Sequence, residues 1–181
     1  VAQLLAGSEP SAGFILVAFG SSAHFAAQIS AEYSQLALAL ADLAPSKVLW
    51  NVRALPHGLT PGGLLGNNTL FAPWVDYNDA LGHSNCKAFV THAGIHSIYE
   101  AAFHGVPAVG VPFMDEQLAN AMALAGRGMA EVVVEAVGFR KKGRAGFGRQ
   151  YTRQYMAALI KQASGAGYCC RPLKDVGMAN A

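Results

Sequence analysis

Six consecutive apolar residues, Phe14-Ile15-Leu16-Val17-Ala18-Phe19, run straight into the polar turn Gly20-Ser21-Ser22. A strand with one wet face alternates apolar and polar residues, so an unbroken run of this length reads as a strand covered on both faces. Helices that cross over between parallel strands provide such cover, and the rest of the chain repeats that pattern. From about Ala26 to Leu43 the residues are strong helix formers, closed by Pro45. Lys47–Trp50 predicts the next strand, and Leu55 to Asn68, with two prolines and several glycines, predicts a loop. Thr69–Ala72 predicts a short strand, Ala80–His83 part of a short helix, Ala88–Thr91 a strand and Ser97–Phe103 a helix. Ala108–Val111 predicts a buried strand closed by Pro112, Glu116–Ala125 a helix ended by Gly126 and Gly128, and Glu131–Val134 a final strand. Six strands interleaved with helices predict an α/β fold with a Rossmann-like parallel sheet. Right-handed crossovers would bring the strand ends, and any ligand, to one edge of it.

The chain has 181 residues, room for one domain with a sizeable core; at 52% hydrophobic and 13% charged it is not a disordered segment. No run of 18 or more apolar residues occurs, so no membrane span is predicted. The sequence opens at Val1 without a basic, apolar and small-residue leader, which we read as an excised or incomplete piece. Cys86, Cys169 and Cys170 are few, odd in number and partly adjacent, which argues against a disulfide framework and for a reducing, cytoplasmic setting. Charge divides the chain sharply. Residues 1–138 carry 4 basic and 10 acidic side chains, and residues 139–181 carry 9 basic and one acidic. The division predicts a ligand-binding domain over 1–138 and a basic C-terminal extension over 139–181, partly helical or disordered.

The strand ends exclude two common ligand motifs. No Gly-x-Gly-x-x-Gly follows a strand, and no Gly-x-x-x-x-Gly-Lys-Ser/Thr occurs, so neither the dinucleotide fingerprint nor a P-loop is present. Instead Thr91-His92-Ala93-Gly94-Ile95-His96-Ser97 leads from a strand through a glycine turn into a helix. Helix-start N–H groups and the positive helix end suit phosphate there, and His92 can add a hydrogen bond. Glu100 lies one turn further along, where a carboxylate can accept from two vicinal hydroxyls. Trp74, at a strand end, offers a flat face for a base. Phosphate, diol and base in one groove describe a nucleotide-sugar site.

Trp74, His83, Phe89, Thr91-His92, Gly94, Ser97, Glu100, Gly105-Val106-Pro107, Pro112, Glu116-Gln117 and Asn120 follow one another in an order and spacing that resembles the UDP-glycosyltransferases. That family includes animal glucuronosyltransferases and plant glucosyltransferases. The resemblance covers about residues 13–137 and implies the C-terminal, donor-binding half of a GT-B fold, in which two Rossmann-like domains face each other. It further implies that Trp74 stacks on uracil while the Val75 backbone reads the base edge. His92 would hold the diphosphate with Gly94, His96 and Ser97, and Glu100 the ribose hydroxyls. Glu116 and Gln117 would hold the transferred sugar, and Ser21 would add a phosphate contact. Two departures stand out: Tyr77 occupies a slot where the family usually has Gln, with Asp76 in place of a common Pro. Asn51 follows Trp50 where glucuronosyltransferases tend to have Arg, which speaks against a carboxylated sugar; Arg53 is close but displaced.

The resemblance implies inverting transfer of a hexosyl group from a UDP-sugar to the hydroxyl of a small-molecule acceptor, with no cofactor or metal. The family's catalytic base sits on the N-terminal domain, so no catalytic residue is expected here, and the chain alone is expected to bind donor without efficient transfer. The acceptor would be held by a missing N-terminal domain or a separate subunit. A soluble donor subunit of a split glycosyltransferase and a non-enzymatic scaffold are the alternatives.

Plainer readings exist for single residues. Ser97 and Glu100 match a capping box, Asp115 and Glu116 suit a helix start, and Trp74 could be a core aromatic. His92, His96 and Glu100 at i, i+4 and i+8 would resemble a zinc face if one helix carried all three, but Gly94 interrupts it. In the tail, basic residues interleave with Phe139, Phe147, Tyr151 and Tyr155, a pattern found against nucleic acid or anionic membranes. A solvated basic extension, helical from about Gln150 to Gln162, is the reading taken, with no nucleic acid as partner.

Overall fold

The structure is a computed structural model that describes residues 13–20, 30–53, 59, 64–133 and 153–165. In chain order its elements are β1 (Phe14–Ala18), α1 (Ser30–Ala41), β2 (Lys47–Asn51), β3 (Thr69–Ala72), α2 (Tyr77–Gly82) and β4 (Cys86–Thr91). There follow α3 (Ile95–His104), β5 (Ala108–Gly110), α4 (Asp115–Ala125), β6 (Ala130–Val132) and α5 (Arg153–Ser164). The strands form one sheet in the order β3-β2-β1-β4-β5-β6, with every neighbouring pair parallel. This is the doubly wound order, in which the chain reverses its direction of travel between β1 and β4.

The apolar run that opens the sequence becomes the centre of the molecule. Ile15 and Val17 point into a cluster with Tyr33, Leu36 and Leu40 of α1 and with Val48 and Trp50 of β2. Phe14, Leu16 and Ala18 point the other way, toward Leu81 of α2, Ala101 of α3 and Phe89 of β4. A third cluster joins α3 and α4, where Ile98 and Ala102 meet Ala121 and Leu124. Small residues set the spacing. A Cβ at Gly110 would stand 2.9 Å from the Ala121 Cβ, so α4 lies close against β5 because that position is bare.

Element boundaries differ from expectation at helix starts above all. α2 begins at Tyr77 because Asp76 caps it, its Oδ1 accepting from the Asp79 N–H at 3.1 Å. α1 is described from Ser30 onward, and the expected Ala26–Gln28 portion lies outside the described residues. Val134, at the end of the last expected strand, also lies outside them.

In the extension, α5 is not solvated on all sides. Met156, Leu159, Ile160 and Ala163 recur at i, i+3, i+4 and i+7 and are buried in the same cluster as β1 and α1. The helix packs on α1 and across β4, β5 and β6. Its basic residues face outward, and Arg153 grips Asp42, just past the end of α1, with both carboxylate oxygens engaged, one at 2.6 Å from Nε. That pair is exposed, so it orients α5 more than it stabilises the fold. Among the described residues no helix is long and apolar enough to cross a membrane. If α5 is part of the core, Ile160→Ala should cost about 2–5 kcal/mol. Lys161→Ala, on its exposed side, should stay within about 0.5 kcal/mol. Urea unfolding of both variants checks this.

Candidate functional site

All the strands being parallel, their C-terminal ends share one edge. There the segments after β3, β4 and β5 carry the sequence-predicted site residues, Ser21 apart, which lies outside the described residues. His92 follows β4 directly, at the point between β1 and β4 where the strand order reverses. Its ring is nearly buried, at 9% exposure, with the Cε1–Nε2 edge held between two glycines. A Cβ on Gly20 would come within 2.9 Å of Cε1, and one on Gly94 within 2.6 Å of Nε2. Gly20 also has φ +70°, a conformation that disfavours any side chain. Nothing in the composition of Gly20-Ser21-Ser22 marked Gly20 as the wall of the histidine slot; only the β1–β4 pairing reveals it.

Burial holds the His92 imidazole below the usual histidine range, opposed by the charge of Glu116 and by the Ala18 carbonyl. The ring is therefore neutral at pH 7 and offers one N–H. Its Nδ1 has no hydrogen-bond partner among the described residues.

Next comes the turn. Ala93 has φ +63°, a left-handed conformation that costs a residue with a Cβ about 1–2 kcal/mol. Hydrogen bonds hold it on both sides. Its N–H donates to Thr91 Oγ1 at 3.3 Å, and its carbonyl accepts from Asn120 Nδ2 at 3.2 Å. At about 0.5–1.5 kcal/mol each, the two offset the strain. Gly94 is the N-cap of α3 and supplies no side-chain cap. The capping-box reading of Ser97 and Glu100 is thereby corrected: the helix starts at Ile95, Ser97 is buried within it, and among the described residues no side chain caps the first N–H groups of α3. His92 also precedes the helix, so it does not share a helical face with His96 and Glu100.

His96 is exposed in the first turn of α3, and Glu100 is half-buried one turn on. The Glu100 carboxyl is raised above the usual range by burial and by the charge of Asp76, with His96 opposing. Tyr77, the first residue of α2, is close enough for the Glu100 charge to raise its hydroxyl further, after burial. That hydroxyl donates to Asn51 Oδ1 at 2.6 Å, and Asn51 Nδ2 donates to the Ala72 carbonyl at 3.0 Å. The two departures from the family pattern are thus partners of each other. They line a cleft with Phe19, Gly20, Arg53 and Trp74.

Trp74 is not a core aromatic: it is 77% exposed, whereas Trp50 is 1% exposed. Val75, half-buried, packs beneath it against the α2–α3 layer. On the β5 side Glu116 is exposed, and one of its oxygens accepts from Asn120 Nδ2 at 2.5 Å. Gln117 is buried, with its Oε1 accepting the Phe113 N–H at 2.8 Å, so that oxygen serves the turn after β5. Asn120 stood in the sequence pattern without a role; its bond to Ala93, 27 residues away, was not readable there.

A depressed histidine has a signed consequence. The stability gained by burying neutral His92 is present above about pH 6.5 and is lost as pH falls through its folded pKa. The denaturation midpoint should therefore drop more between pH 7 and about pH 5 in the wild type than in His92→Gln. Equal slopes would remove His92 as the titrating group.

Comparison with known proteins identifies the family and the fold. Residues 3–141 match the family model described as UDP-glucoronosyl and UDP-glucosyl transferase. Rat 2-hydroxyacylsphingosine 1-beta-galactosyltransferase is 40% identical over 117 residues, covering 65% of this chain and 20% of that protein. Human UDP-glucuronosyltransferase 2A3 is 46% identical over 95 residues, covering 52% of this chain and 17% of that protein. The chain thus spans about a fifth of the length of the curated relatives it matches. Among solved structures, UGT71G1 of Medicago truncatula, complexed with UDP-glucose, superposes with a TM-score of 0.71 at 19% identity, over 93% of this chain and 35% of that one. The glycotransferase of kitacinnamycin gives a TM-score of 0.69 at 22% identity, over 92% of this chain and 38% of that one. These two share the fold, that of one part of a GT-B glycosyltransferase. With residues 3–141 of its 181 matched by that family model, the chain belongs to the UDP-glucuronosyl and UDP-glucosyl transferase family.

Proposed function

We propose that this chain forms the UDP-sugar-binding part of a glycosyltransferase that moves a hexosyl group onto the hydroxyl of a small-molecule acceptor with inversion at the anomeric carbon. The observation that carries the reading is the turn from β4 to α3: a neutral, glycine-walled His92 beside helix-start N–H groups that no side chain among the described residues caps. In this reading the diphosphate lies over that turn, where N–H donors and the helix end stabilise the charge that grows as UDP departs. Neutral His92 adds a donor without the larger desolvation of a buried cation.

The other contacts follow from position. Trp74 stacks on the base, the Val75 backbone meets its edge, and Glu100 accepts from the ribose hydroxyls. A carboxylate already raised by burial gains from two hydroxyl donors, which favour its charged form. His96 and Ser97 flank the diphosphate, Ser21 approaches it from the β1 side, and Glu116 and Gln117 face the sugar. The general base that deprotonates the acceptor would belong to a facing domain or a partner subunit, and this chain then binds donor without transferring it efficiently.

Titration calorimetry of the full chain with UDP tests this. Saturable binding is expected, weakened about tenfold or more in His92→Ala and in Trp74→Ala, with NADH not binding. No UDP binding by the folded chain defeats the reading.

A further inference from the structure

We propose that Asn120 is a positioning residue that holds the β4–α3 turn in its ligand-ready shape and ties it to Glu116. The inference rests on reading that turn as the diphosphate site. One side-chain amide does both: Asn120 Nδ2 donates to the Ala93 carbonyl at 3.2 Å and to Glu116 Oε1 at 2.5 Å. Both of its hydrogens are thereby used. Ala93 is buried, carries a Cβ, and still sits at φ +63°. Something must hold it there, and Thr91 holds only its N–H side. The carbonyl side depends on Asn120, delivered from α4 because bare Gly110 lets that helix approach β5.

The direction of the Ala93–Gly94 peptide decides where the Gly94 N–H points, together with the first N–H groups of α3. Released, Ala93 can relax to the ordinary right-handed or extended regions, which turns those donors away. The same amide fixes the orientation of Glu116, so the diphosphate and the sugar of a nucleotide-sugar meet groups held by one side chain. Few residues could substitute. Aspartate has the shape but no donor and would repel Glu116, and serine has one donor and a shorter reach.

The test uses the full chain as wild type, Asn120→Ala, Asn120→Asp, Ala93→Gly and the double variant Asn120→Ala/Ala93→Gly. Two readouts are taken: the backbone torsion of Ala93 from NMR couplings and shifts, and UDP affinity by calorimetry. In Asn120→Ala the left-handed torsion should be lost and UDP binding should weaken about tenfold, the scale of one lost hydrogen bond to a ligand-binding element. Asn120→Asp should weaken it further. Ala93→Gly should restore most of the affinity in the Asn120→Ala background, because glycine adopts positive φ without a clamp. Should Asn120→Ala not fold, Asn120→Ser is read in the same way. An unchanged Ala93 torsion in the folded variant overturns the proposal, as does a released turn that binds UDP as tightly as wild type, or a loss that Ala93→Gly does not relieve. If the wild type binds no UDP, the diphosphate reading falls, and the torsion measurement still decides whether Asn120 holds the turn.

Discussion

Burial of β1 on both faces is the constraint from which the rest of the molecule follows. Its five residues leave no polar side for water, so one helical layer must cover Ile15 and Val17 and another Phe14, Leu16 and Ala18. Covering both faces from a central strand requires the chain to travel outward in one direction and then in the other. The reversal places β4 beside β1. Between β1 and β4 the strand order changes direction. His92 sits at that point.

Around that point the fold arranges polar groups at some cost. Ala93 is strained, His92 is buried with its charged form disfavoured, and Glu100 is pushed toward its protonated form. None of these states serves the folded chain by itself. Each is sustained by ordinary packing elsewhere: Gly110 admits α4, α4 delivers Asn120, and the glycines at 20 and 94 make room for the imidazole. Local strain concentrated beside a helix start is the distribution expected of a binding site built on a rigid sheet.

Strands were the readable part of this sequence because strands buried on both faces appear as continuous apolar runs. β1, β4 and β5 fall where Phe14–Phe19, Ala88–Thr91 and Ala108–Val111 predicted them, within a residue or two at the ends. Helix starts were less readable. Ser97 looked like a cap because a hydroxyl three residues before a glutamate fits that chemistry. The actual N-cap is Gly94, which has no side chain to signal it. In the extension, net charge drew attention away from periodicity. Charge is summed over all faces of a helix, whereas docking is decided by the Met156, Leu159, Ile160 and Ala163 stripe alone. At the site, residues facing a ligand could be read from spacing, but Asn120, Gly20 and the Tyr77–Asn51 pair act on partners many positions away, and only the sheet order brings those together.

The two tryptophans divide between the interior and the edge, and this gives the protein a pair of built-in optical probes. Trp50, sealed between Tyr33 and Phe71, resides in an apolar medium and emits toward the blue. Trp74 stands in water at the mouth of the cleft and emits toward the red. Quenching confined to the red part of the emission therefore reports on the cleft while the sheet stays intact, and a loss of the blue part reports on the sheet itself. Occupancy and integrity can be followed in one cuvette, without a label.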